Sequence, residues 1–402
     1  MRNDETGLRF LENKTAAGGA FRSRHVALLI ETSNEYARGL LRGIRSYIRE
    51  HKPWSLYMGE MSRDQADLSW LHGWSGDGII ARIENAEIAD RVRELGLPAV
   101  DLSARRLLPE LPCVETDDEA IAKLAFSHLA EKGFTHFAYC GDGRFAWSKQ
   151  RQDHFIRIAA EAGSTCSVYE DGGTETWSEE RSHMAQWVQS LPKPAGIMAC
   201  YDIMGQKLLE SCRLAGVAVP DEVGIVGVDN DDLLCNLSDP PLSSVMPNTH
   251  ETGYRAASLL DRMMAGEQWE ASTVRVPPID IVARLSTDVI AVDDRLVAEA
   301  VRLIREHLYE DMNVDALFRR FEVSRRSLES RFVRSLGRTP HAVIMEMKVK
   351  LIKQFLSGTD LTLPKIAERI GFKNAEYMSV LFKRETGLTP NAYRVRTKST
   401  GG

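Results

Sequence analysis

Short apolar runs alternate with amphipathic segments along the first two-thirds of the chain. The run HVALLIET (residues 25–32) is apolar almost throughout and has the length of a buried strand. The next segment, Tyr36–Glu50, carries apolar residues at helical spacing and predicts an amphipathic helix. Further strands are predicted at 76–82, 97–103, 137–142, 195–202 and 224–230. Short apolar strands that are each followed by a helix predict a parallel sheet covered on both faces.

Polar residues stand where these predicted strands end. Ligands of parallel α/β sheets bind at the carboxyl ends of the strands, so these side chains are candidates for ligand contact. The candidates at or just beyond the strand ends are Glu31, Thr32, Ser33, Arg82, Asp142, Asp202, Asp229 and Asn230.

From Asp293 onward the pattern is helical only. Residues 293–313 predict a helix with Asp293 or Asp294 as its N-cap. Residues 314–340 predict two helices joined by a three-residue turn, and Ser324 is the predicted N-cap of the second. Two helices joined in this way form a helix-turn-helix unit.

The same pattern recurs about 50 residues further on. A linking helix is predicted over 340–356, and residues 361–394 then predict a second pair of helices. Thr362 and Asn374 are the predicted N-caps of that pair. The chain is therefore predicted to end in an all-α domain with two helix-turn-helix units.

The distribution of charge separates the two parts of the chain. The 402 residues carry a formal net charge of −6, which by itself argues against nucleic acid. Residues 290–402, however, hold 21 basic and 14 acidic residues, a net charge of +7. The rest of the chain holds 30 basic and 43 acidic residues, a net charge of −13. Such asymmetry indicates that one part binds a polyanion and the other does not.

Several classes of protein are disfavoured. The sequence has no zinc-ligand spacing, no P-loop and no nucleophile motif, so we expect no metal, no cofactor and no enzyme activity. The predicted strands bury Cys140 and Cys200 as ordinary core thiols. No apolar window approaches the length of a membrane span. Residues 1–24 lack the apolar stretch of a signal peptide and are predicted to be a disordered lead-in, so a cytoplasmic location is expected.

Three segments resemble the ligand-binding domain of LacI-type regulators. They are AGVAVPDEVGIVGVDN (215–230), PNTHETGYRAASLLDRMMAGE (247–267) and VPPIDIVARLST (276–287). The resemblance runs in order over about 260 residues. It implies a two-lobed α/β periplasmic-binding-protein-like (type I) sensor domain over residues 25–287, with two Rossmann-like lobes, a sugar-binding cleft and three crossing strands. Residues 288–292 would be a short linker.

The same resemblance implies which side chains contact a sugar. Asp229, Arg151 and Asp202 would bind hydroxyl groups, and Trp147 would lie under the apolar face of the ring. Each of these residues also has a purely structural interpretation: a loop cap for Asp229, a salt bridge to Asp153 or Asp142 for Arg151, a helix N-cap for Asp202, and a core position for Trp147.

Two residues of the first lobe fit the implied site less closely. The resemblance implies an amide and an acidic region where this sequence has Glu31 and Arg82, and this departure favours another pentose, a hexose or an acidic sugar. Alternatively, Glu31 and Arg82 pair with each other. Asp117 resembles an acidic residue near the hinge and dimer face of the family, and an N-capping role is the alternative.

Residues 293–402 resemble the AraC/XylS-type DNA-binding domain, most specifically in IAERIGF and FKRETGLTP of the second helix pair. The resemblance implies that each second helix enters a major groove. In the second unit, Ala375 and Val380 can contact a thymine methyl but cannot recognise a hydrogen-bond donor or acceptor on a base. The corresponding helix of the first unit, which Ser324 caps, is therefore expected to discriminate more between base pairs. The implied DNA-contacting residues are Arg325, Arg326, Glu329 and Ser330, and Ala375, Glu376, Ser379 and Val380.

A LacI-type sensor followed by an AraC-type domain is the order found in the bacterial xylose operon regulators. The resemblance implies a sugar-responsive, DNA-binding transcription regulator, and within that class an activator. The expected partners are operator DNA, a sugar effector, a second copy of the chain and RNA polymerase. The alternatives are a repressor, a sensor that serves only dimerisation or binds a ligand other than a sugar, a solute receptor and an enzyme.

Overall fold

The computed structural model describes residues 23–59, 68–169, 176–289, 294–308 and 314–399. The predicted lead-in lies outside these ranges up to residue 22, and the predicted linker lies outside them from residue 290 to 292. Two short 3₁₀ turns, Ser69–Leu71 and Leu285–Thr287, also occur in these ranges. The helices and strands follow in this order: β1 (Arg24–Leu29), α1 (Glu35–Glu50), β2 (Trp54–Tyr57), β3 (Gly78–Ala81), α2 (Ala86–Leu95), β4 (Ala99–Asp101), β5 (Cys113–Thr116), α3 (Asp118–Glu131), β6 (His136–Cys140), α4 (Ala146–Glu161), β7 (Cys166–Tyr169), α5 (Trp177–Ser190), β8 (Ala195–Ala199), α6 (Asp202–Ala215), β9 (Val223–Val228), α7 (Asp232–Leu237), β10 (Ser243–Met246), α8 (Thr249–Met264), β11 (Thr273–Val276), β12 (Asp280–Val282), α9 (Arg295–Glu306), α10 (Val314–Phe321), α11 (Arg325–Leu336), α12 (Pro340–Gly358), α13 (Leu363–Arg369), α14 (Ala375–Thr386) and α15 (Pro390–Ser399).

The chain divides into two units. The first unit comprises residues up to Thr116 together with Asn248–Val276. Its described strands form a parallel sheet in the order β11-β5-β4-β3-β1-β2. Strand β1 lies between β3 and the edge strand β2, and its apolar residues are buried, as its continuous hydrophobic pattern predicted. Helices α1 and α8 pack together over this sheet, where glycines at their contact leave no room for a side chain.

The second unit comprises Asp117–Pro247 and the chain from Pro277 onward. Its described strands form a sheet in the order β12-β10-β9-β8-β6-β7. Strands β6 to β10 pair in parallel, but β12 runs antiparallel to β10, which the prediction of an all-parallel sheet missed. An edge strand can pair antiparallel without the crossover helix that a parallel neighbour needs. Cys140 and Cys200 are fully buried, as predicted.

The prediction from apolar runs also missed β2, β5, β7 and β10. These strands are four residues long and contain polar residues, as in CSVY for β7 and SSVM for β10. Without a continuous apolar run, a pattern of hydrophobicity cannot separate such segments from loops.

Helices α9 to α15 follow the second sheet within the same unit. They surround one core in which Phe332, Ile352 and Phe382 are fully buried. The side chain of Asp294 caps α9, and Ser324 and Asn374 cap α11 and α14, as predicted. Thr362 occupies the predicted cap position of α13, but its side chain makes no capping hydrogen bond. None of the described helices is both long and apolar enough to cross a membrane.

Candidate effector site and DNA-reading helices

Three neighbouring strands of the second sheet end in polar loops. Asp142 and Arg144 follow β6, Asp202 follows β8, and Asp229 and Asn230 follow β9. Because β9, β8 and β6 are adjacent and parallel, their carboxyl ends meet at one edge of the sheet. Such an edge is where α/β sheets bind ligands. The structure therefore brings the predicted residues of this lobe to one edge.

The loop after β9 has an unusual backbone. Asp229 and Asn230 have φ angles of +107° and +49°, in the left-handed region that residues other than glycine rarely adopt. The N–H of Asp229 donates to the carbonyl of Val245 (3.0 Å), and the N–H of Asn230 donates to Oγ of Ser244 (3.0 Å). Left-handed residues held by their surroundings concentrate at functional sites. We call Asp229–Asp231 the effector loop.

Aromatic rings line the same region. Trp147 stacks on Phe145 with ring centroids 5.2 Å apart, and Tyr201 meets Trp147 edge-on at 5.7 Å. The guanidinium of Arg151 lies 5.2 Å from the centre of the Trp147 ring. Trp147 is half-buried and packs against the core of the second unit. Its core role is therefore observed, and contact with a sugar stays a prediction.

Arg151 is buried and forms an ion pair that the sequence did not indicate. Its Nε and Nη2 donate to Oδ1 of Asp118 at 2.9 Å and 2.6 Å, and its Nη1 donates to the carbonyl of Cys200. Burial lowers the pKa of the guanidinium, but the carboxylates of Asp118 and Asp229 outweigh this effect and raise it above its usual range. Arg151 thus ties α4 to the start of α3 and the end of β8.

The salt-bridge partners considered for Arg151 have other partners. Asp153 pairs with Lys149 at 2.8 Å on the surface of α4. Asp142 pairs with Arg144 at 2.8 Å. Burial raises the pKa of Asp142, but the hydrogen bonds from Arg144 outweigh it, so the pKa lies below its usual value. Asp118 was missed because only the fold brings α3 beside α4.

Asp202 is fully buried and fastens the effector loop. Its Oδ2 accepts a hydrogen bond from the N–H of Asp231 (2.7 Å), and its Oδ1 accepts one from the hydroxyl of Ser244 (2.6 Å). Burial, together with the nearby negative charge of Asp229, raises the pKa of Asp202. It is the first residue of α6 and does not cap that helix, because Tyr201 holds the cap position. Contact of Asp202 with a ligand stays a prediction.

In the first unit, Glu31 and Arg82 form a buried ion pair, which is the pairing considered from the sequence. Arg82 also binds Glu84 at 2.9 Å and lies 5.2 Å from the ring centre of Tyr36. The side-chain amide of Asn34 donates to Glu31 at 2.6 Å. The positive charge of Arg82 is therefore balanced by two carboxylates. Thr32 and Ser33 are exposed at the end of β1.

Asp117 caps α3, since its Oδ1 accepts a hydrogen bond from the N–H of Ala120 at 2.9 Å. This is the capping role that was considered from the sequence. Proximity to a hinge or a dimer face stays a prediction for this residue.

Helices α10 and α11 are joined by the three-residue turn Glu322–Ser324, in which Glu322 has a left-handed φ of +51°. Arg326 and Ser330 are exposed on α11. Arg325 binds Glu329 across one turn at 3.0 Å, on the exposed side of the helix. The N-terminus of α11 therefore presents two arginines to the surroundings, where helix dipole and charge both attract phosphate.

Helix α14, the second helix predicted to enter a major groove, differs from α11 in its exposed side chains. Val380 is 68% exposed, and Glu376 is also exposed. Ala375 and Ser379 are half-buried, and the Ser379 hydroxyl donates back to the carbonyl of Ala375 at 2.7 Å. The donor of that hydroxyl is therefore used within the helix. Stronger discrimination between bases by α11 than by α14 stays a prediction.

Comparison with known families assigns all three parts of the chain. Residues 25–119 match the XylR N-terminal domain, residues 126–287 match the periplasmic binding protein-like domain, and residues 317–396 match a helix-turn-helix domain. The order of these matches is the order of modules predicted from the sequence.

The chain is also similar to known proteins along nearly its full length. It is 31% identical over 380 residues to the xylose operon regulatory protein of Haemophilus influenzae, covering 92% of this chain and 98% of that one. It is 30% identical to the xylose operon regulatory protein of Escherichia coli K12, covering 93% and 98% of the two chains. These relatives are transcription regulators and not enzymes.

Solved structures give the same result. A structure of the xylose-binding transcription activator XylR matches with a TM-score of 0.80 and 29% identity, covering 93% of this chain and 98% of that one. The transcriptional regulator CelR bound to cellobiose matches with a TM-score of 0.54 and 22% identity, covering 66% and 85%, which shows the shared fold. This chain belongs to the family of xylose operon regulatory proteins, DNA-binding transcription regulators that join a periplasmic-binding-protein-like sensor to an AraC-type helix-turn-helix domain.

Proposed function

We propose that this regulator binds a neutral monosaccharide at the strand ends of its sensor and then activates a sugar-catabolism operon. The observation that carries the proposal is the effector loop, where Asp229 and Asn230 have left-handed conformations. The carboxylate of Asp229 acts on the guanidinium of Arg151, which lies over the ring of Trp147. A carboxylate accepts hydrogen bonds from two adjacent hydroxyls, and an aromatic ring packs against the apolar face of a sugar. The relatives' names make D-xylose the first candidate.

The ion pairs of the first unit favour a neutral sugar over a sugar acid. An anionic ligand needs a cation whose charge is available, and Arg82 is already bound to Glu31 and Glu84. A further carboxylate at this cluster would add like charge to a group that is already negative overall. The departure of these residues from other xylose regulators is therefore compatible with a neutral pentose.

Calorimetric titration of the full chain tests the proposal. The panel should contain D-xylose, L-arabinose, D-ribose, D-glucose and D-xylonate. We expect binding of at least one neutral sugar and no binding of xylonate. Absence of heat with every neutral sugar, or selective binding of xylonate, contradicts the proposal.

Replacing Asp229 by asparagine is expected to weaken sugar affinity roughly 10- to 150-fold, because hydrogen bonds to a charged acceptor contribute about 1.5–3 kcal/mol. Asparagine tolerates the left-handed backbone as aspartate does, so the loop should keep its conformation. Calorimetry with the preferred sugar measures the effect. Asp153→Asn on the exposed face of α4 is the control and should bind as the unmodified chain does. Equal affinity of the Asp229→Asn chain would exclude this residue as a ligand contact.

On the DNA side, Arg326→Ala is expected to relax discrimination at one or two base pairs by about 1–3 kcal/mol each. Arg326 is exposed at the N-terminal end of α11, where a side chain can reach base edges. Competition between operator variants with single base changes, at fixed salt, measures the effect. Arg338→Ala, beyond the C-cap of α11, is the control. An unchanged ranking of all variants contradicts this role.

The remaining parts of the proposal concern cellular context. We propose that the protein acts in the cytoplasm, where its operator is. A dimer formed through the sensor domain and a contact with RNA polymerase stay predictions. Analytical ultracentrifugation at two ionic strengths would test the first of these.

A further inference from the structure

Arg284 connects the effector loop to the chain segment that leads into the DNA-binding helices. Its guanidinium donates to Oδ1 of Asn230 and to the carbonyl of Leu242, each at 2.9 Å. Its own N–H donates to Oγ of Ser243 at 2.7 Å. The side chain is 9% exposed. Arg284 is therefore a nearly buried bridge between the loop after β9 and the loop before β10.

The residues that follow Arg284 are fastened to the centre of the sheet. The hydroxyl of Ser286 donates to the carbonyl of Ile225 in β9 at 2.6 Å. The hydroxyl of Thr287 lies 2.7 Å from that of Ser243 and 2.8 Å from Nε2 of His128. Ser286 and Thr287 are fully buried. The segment Arg284–Asp288, which we call the junction segment, is thus held by β9, β10 and α3 together.

The far end of the junction segment contacts the DNA-binding helices. Both carboxylate oxygens of Asp288 accept hydrogen bonds from Nζ of Lys350 in α12, at 2.7 Å and 2.9 Å. The carbonyl of Asp288 accepts one from Arg305 in α9 at 2.6 Å, and Arg305 also pairs with Asp221 of the sensor. Polar contacts of one residue, Asp288, therefore reach two helices of the DNA-binding domain.

Two open grooves adjoin these contacts. A cavity of about 340 Å³ is lined by Lys132, Asp221 and residues of α9. A second cavity, of about 540 Å³, is lined by Arg284, Asp288, Lys350 and neighbouring side chains. The polar contacts of Asp288 with Lys350 and Arg305 therefore lie beside open grooves.

We propose that Arg284 is a positioning residue that couples the effector loop to the DNA-binding helices through the junction segment and its contacts with Lys350 and Arg305. A ligand that contacts Asp229 and Asn230 acts on Asn230, whose side-chain oxygen accepts a hydrogen bond from Arg284. A change in the hydrogen bond between Arg284 and Asn230 alters how firmly the junction segment is held. It therefore also alters the position of Asp288 at the end of that segment. The coupling to a sugar rests on the proposed function.

The test measures operator affinity with and without the preferred sugar, together with sugar affinity by calorimetry. Coupling between two sites is ordinarily about 5- to 150-fold in affinity. In Arg284→Gln we expect this ratio to fall below about 2-fold and sugar affinity to weaken. In Asp288→Asn and Lys350→Gln we expect the same loss of coupling with unchanged sugar affinity, because these residues lie beyond the effector loop.

Two further variants separate coupling from damage to the fold. Arg284→Lys keeps the charge but cannot donate to Asn230 and Leu242 in the same fork, so partial coupling is expected. Lys207 is about as exposed as Lys350, but it pairs with Glu180 on another face of the protein. The variant Lys207→Gln should therefore keep full coupling. Melting temperatures and circular dichroism confirm that each variant is folded.

Hydrogen exchange without any ligand makes the inference independent of the sugar. In Arg284→Gln we expect faster amide exchange in Leu285–Val289 and in the turn of α12 that carries Lys350. If no sugar binds the unmodified chain, the proposed function fails. The exchange data still test whether Arg284 restrains the junction segment. Unchanged exchange in Arg284→Gln, or wild-type coupling in folded Arg284→Gln and Asp288→Asn chains, overturns the inference.

Discussion

Replacing Arg151 by methionine is expected to lower the free energy of unfolding of the second unit by about 3–5 kcal/mol, the usual cost of removing one partner of a buried ion pair. The side chains of Arg151 and Asp118 are 4% and 10% exposed. The variant leaves the Asp118 carboxylate buried without its counter-charge and removes the donor to the Cys200 carbonyl. Urea denaturation followed by circular dichroism measures the change.

The partner substitutions show whether the cost arises from the unpaired charge. Asp118→Leu should destabilise by a similar amount, whereas the double variant Arg151→Met/Asp118→Leu should cost much less than the two single changes added together. The exposed pair Lys149–Asp153 on the same helix is the control, and Lys149→Met should cost only about 0.3–0.5 kcal/mol. Additive effects of Arg151→Met and Asp118→Leu would contradict the pairing.

The same variants bear on the effector site. If the role of Arg151 is only to hold α4 against α3, the double variant should regain sugar binding along with stability. If Arg151 also touches the sugar, the double variant should be stable but deficient in binding. Calorimetry on this one folded chain therefore separates positioning from direct contact.

Stability is expected to fall by about 3 kcal/mol between pH 7 and pH 4 from the single side chain of His128. Burial, with a smaller effect of the nearby Lys132, lowers the pKa of His128 from 6.5 to about 4. A shift of one pKa unit corresponds to about 1.4 kcal/mol. Nε2 of His128 lies 2.8 Å from the hydroxyl of Thr287, which belongs to the junction segment.

The sign follows from proton binding. Above pH 6.5 His128 is neutral in both the folded and the unfolded chain, so it contributes no pH dependence. Between pH 6.5 and pH 4 the unfolded chain binds a proton that the folded chain does not, and the unfolded state is favoured increasingly. Below pH 4 both states are protonated at this residue and the contribution becomes constant.

Comparison with a variant isolates this contribution from other groups. The free energy of unfolding should be measured by urea titration at several pH values for the unmodified chain and for His128→Gln. Contributions of other groups are common to both chains and cancel when the two free energies are subtracted. Between pH 7 and pH 4, the free energy of unfolding of the unmodified chain should fall by about 3 kcal/mol more than that of the variant. A pH-independent difference would show that His128 titrates normally.

The positions of many candidate residues could be predicted from the sequence because strand ends and helix caps depend on residues that are close together in the chain. Asp229 and Asn230 were predicted as strand-end residues, since a short apolar run followed by polar residues predicts where β9 stops. The caps Asp294, Ser324 and Asn374 followed from residue type and position, because an N-cap bonds within its own first turn.

The partners of the buried polar residues could not be predicted in this way. Arg151 was considered beside Asp153 and Asp142, but its partner is Asp118, thirty-three residues earlier in the chain. Asp202 was considered as a helix cap, but it binds the N–H of Asp231 and the hydroxyl of Ser244. Such pairings depend on which helices and loops the sheet order makes neighbours, and the residues involved carry no local pattern.

The resemblance to LacI-type and AraC-type domains implied the two-lobed sensor and the order of the domains. The sequence pattern by itself determined the parallel sheet covered by helices, the two helix-turn-helix units and the strand ends that carry the polar residues. These features arise from periodicity and capping, which act over one or two turns of the chain. Only the tertiary structure decided that Arg82 is neutralised by Glu31 and Glu84, and that Arg284 joins the effector loop to the junction segment. Buried charges and donors must find partners wherever the fold brings them, and that choice depends on distant residues.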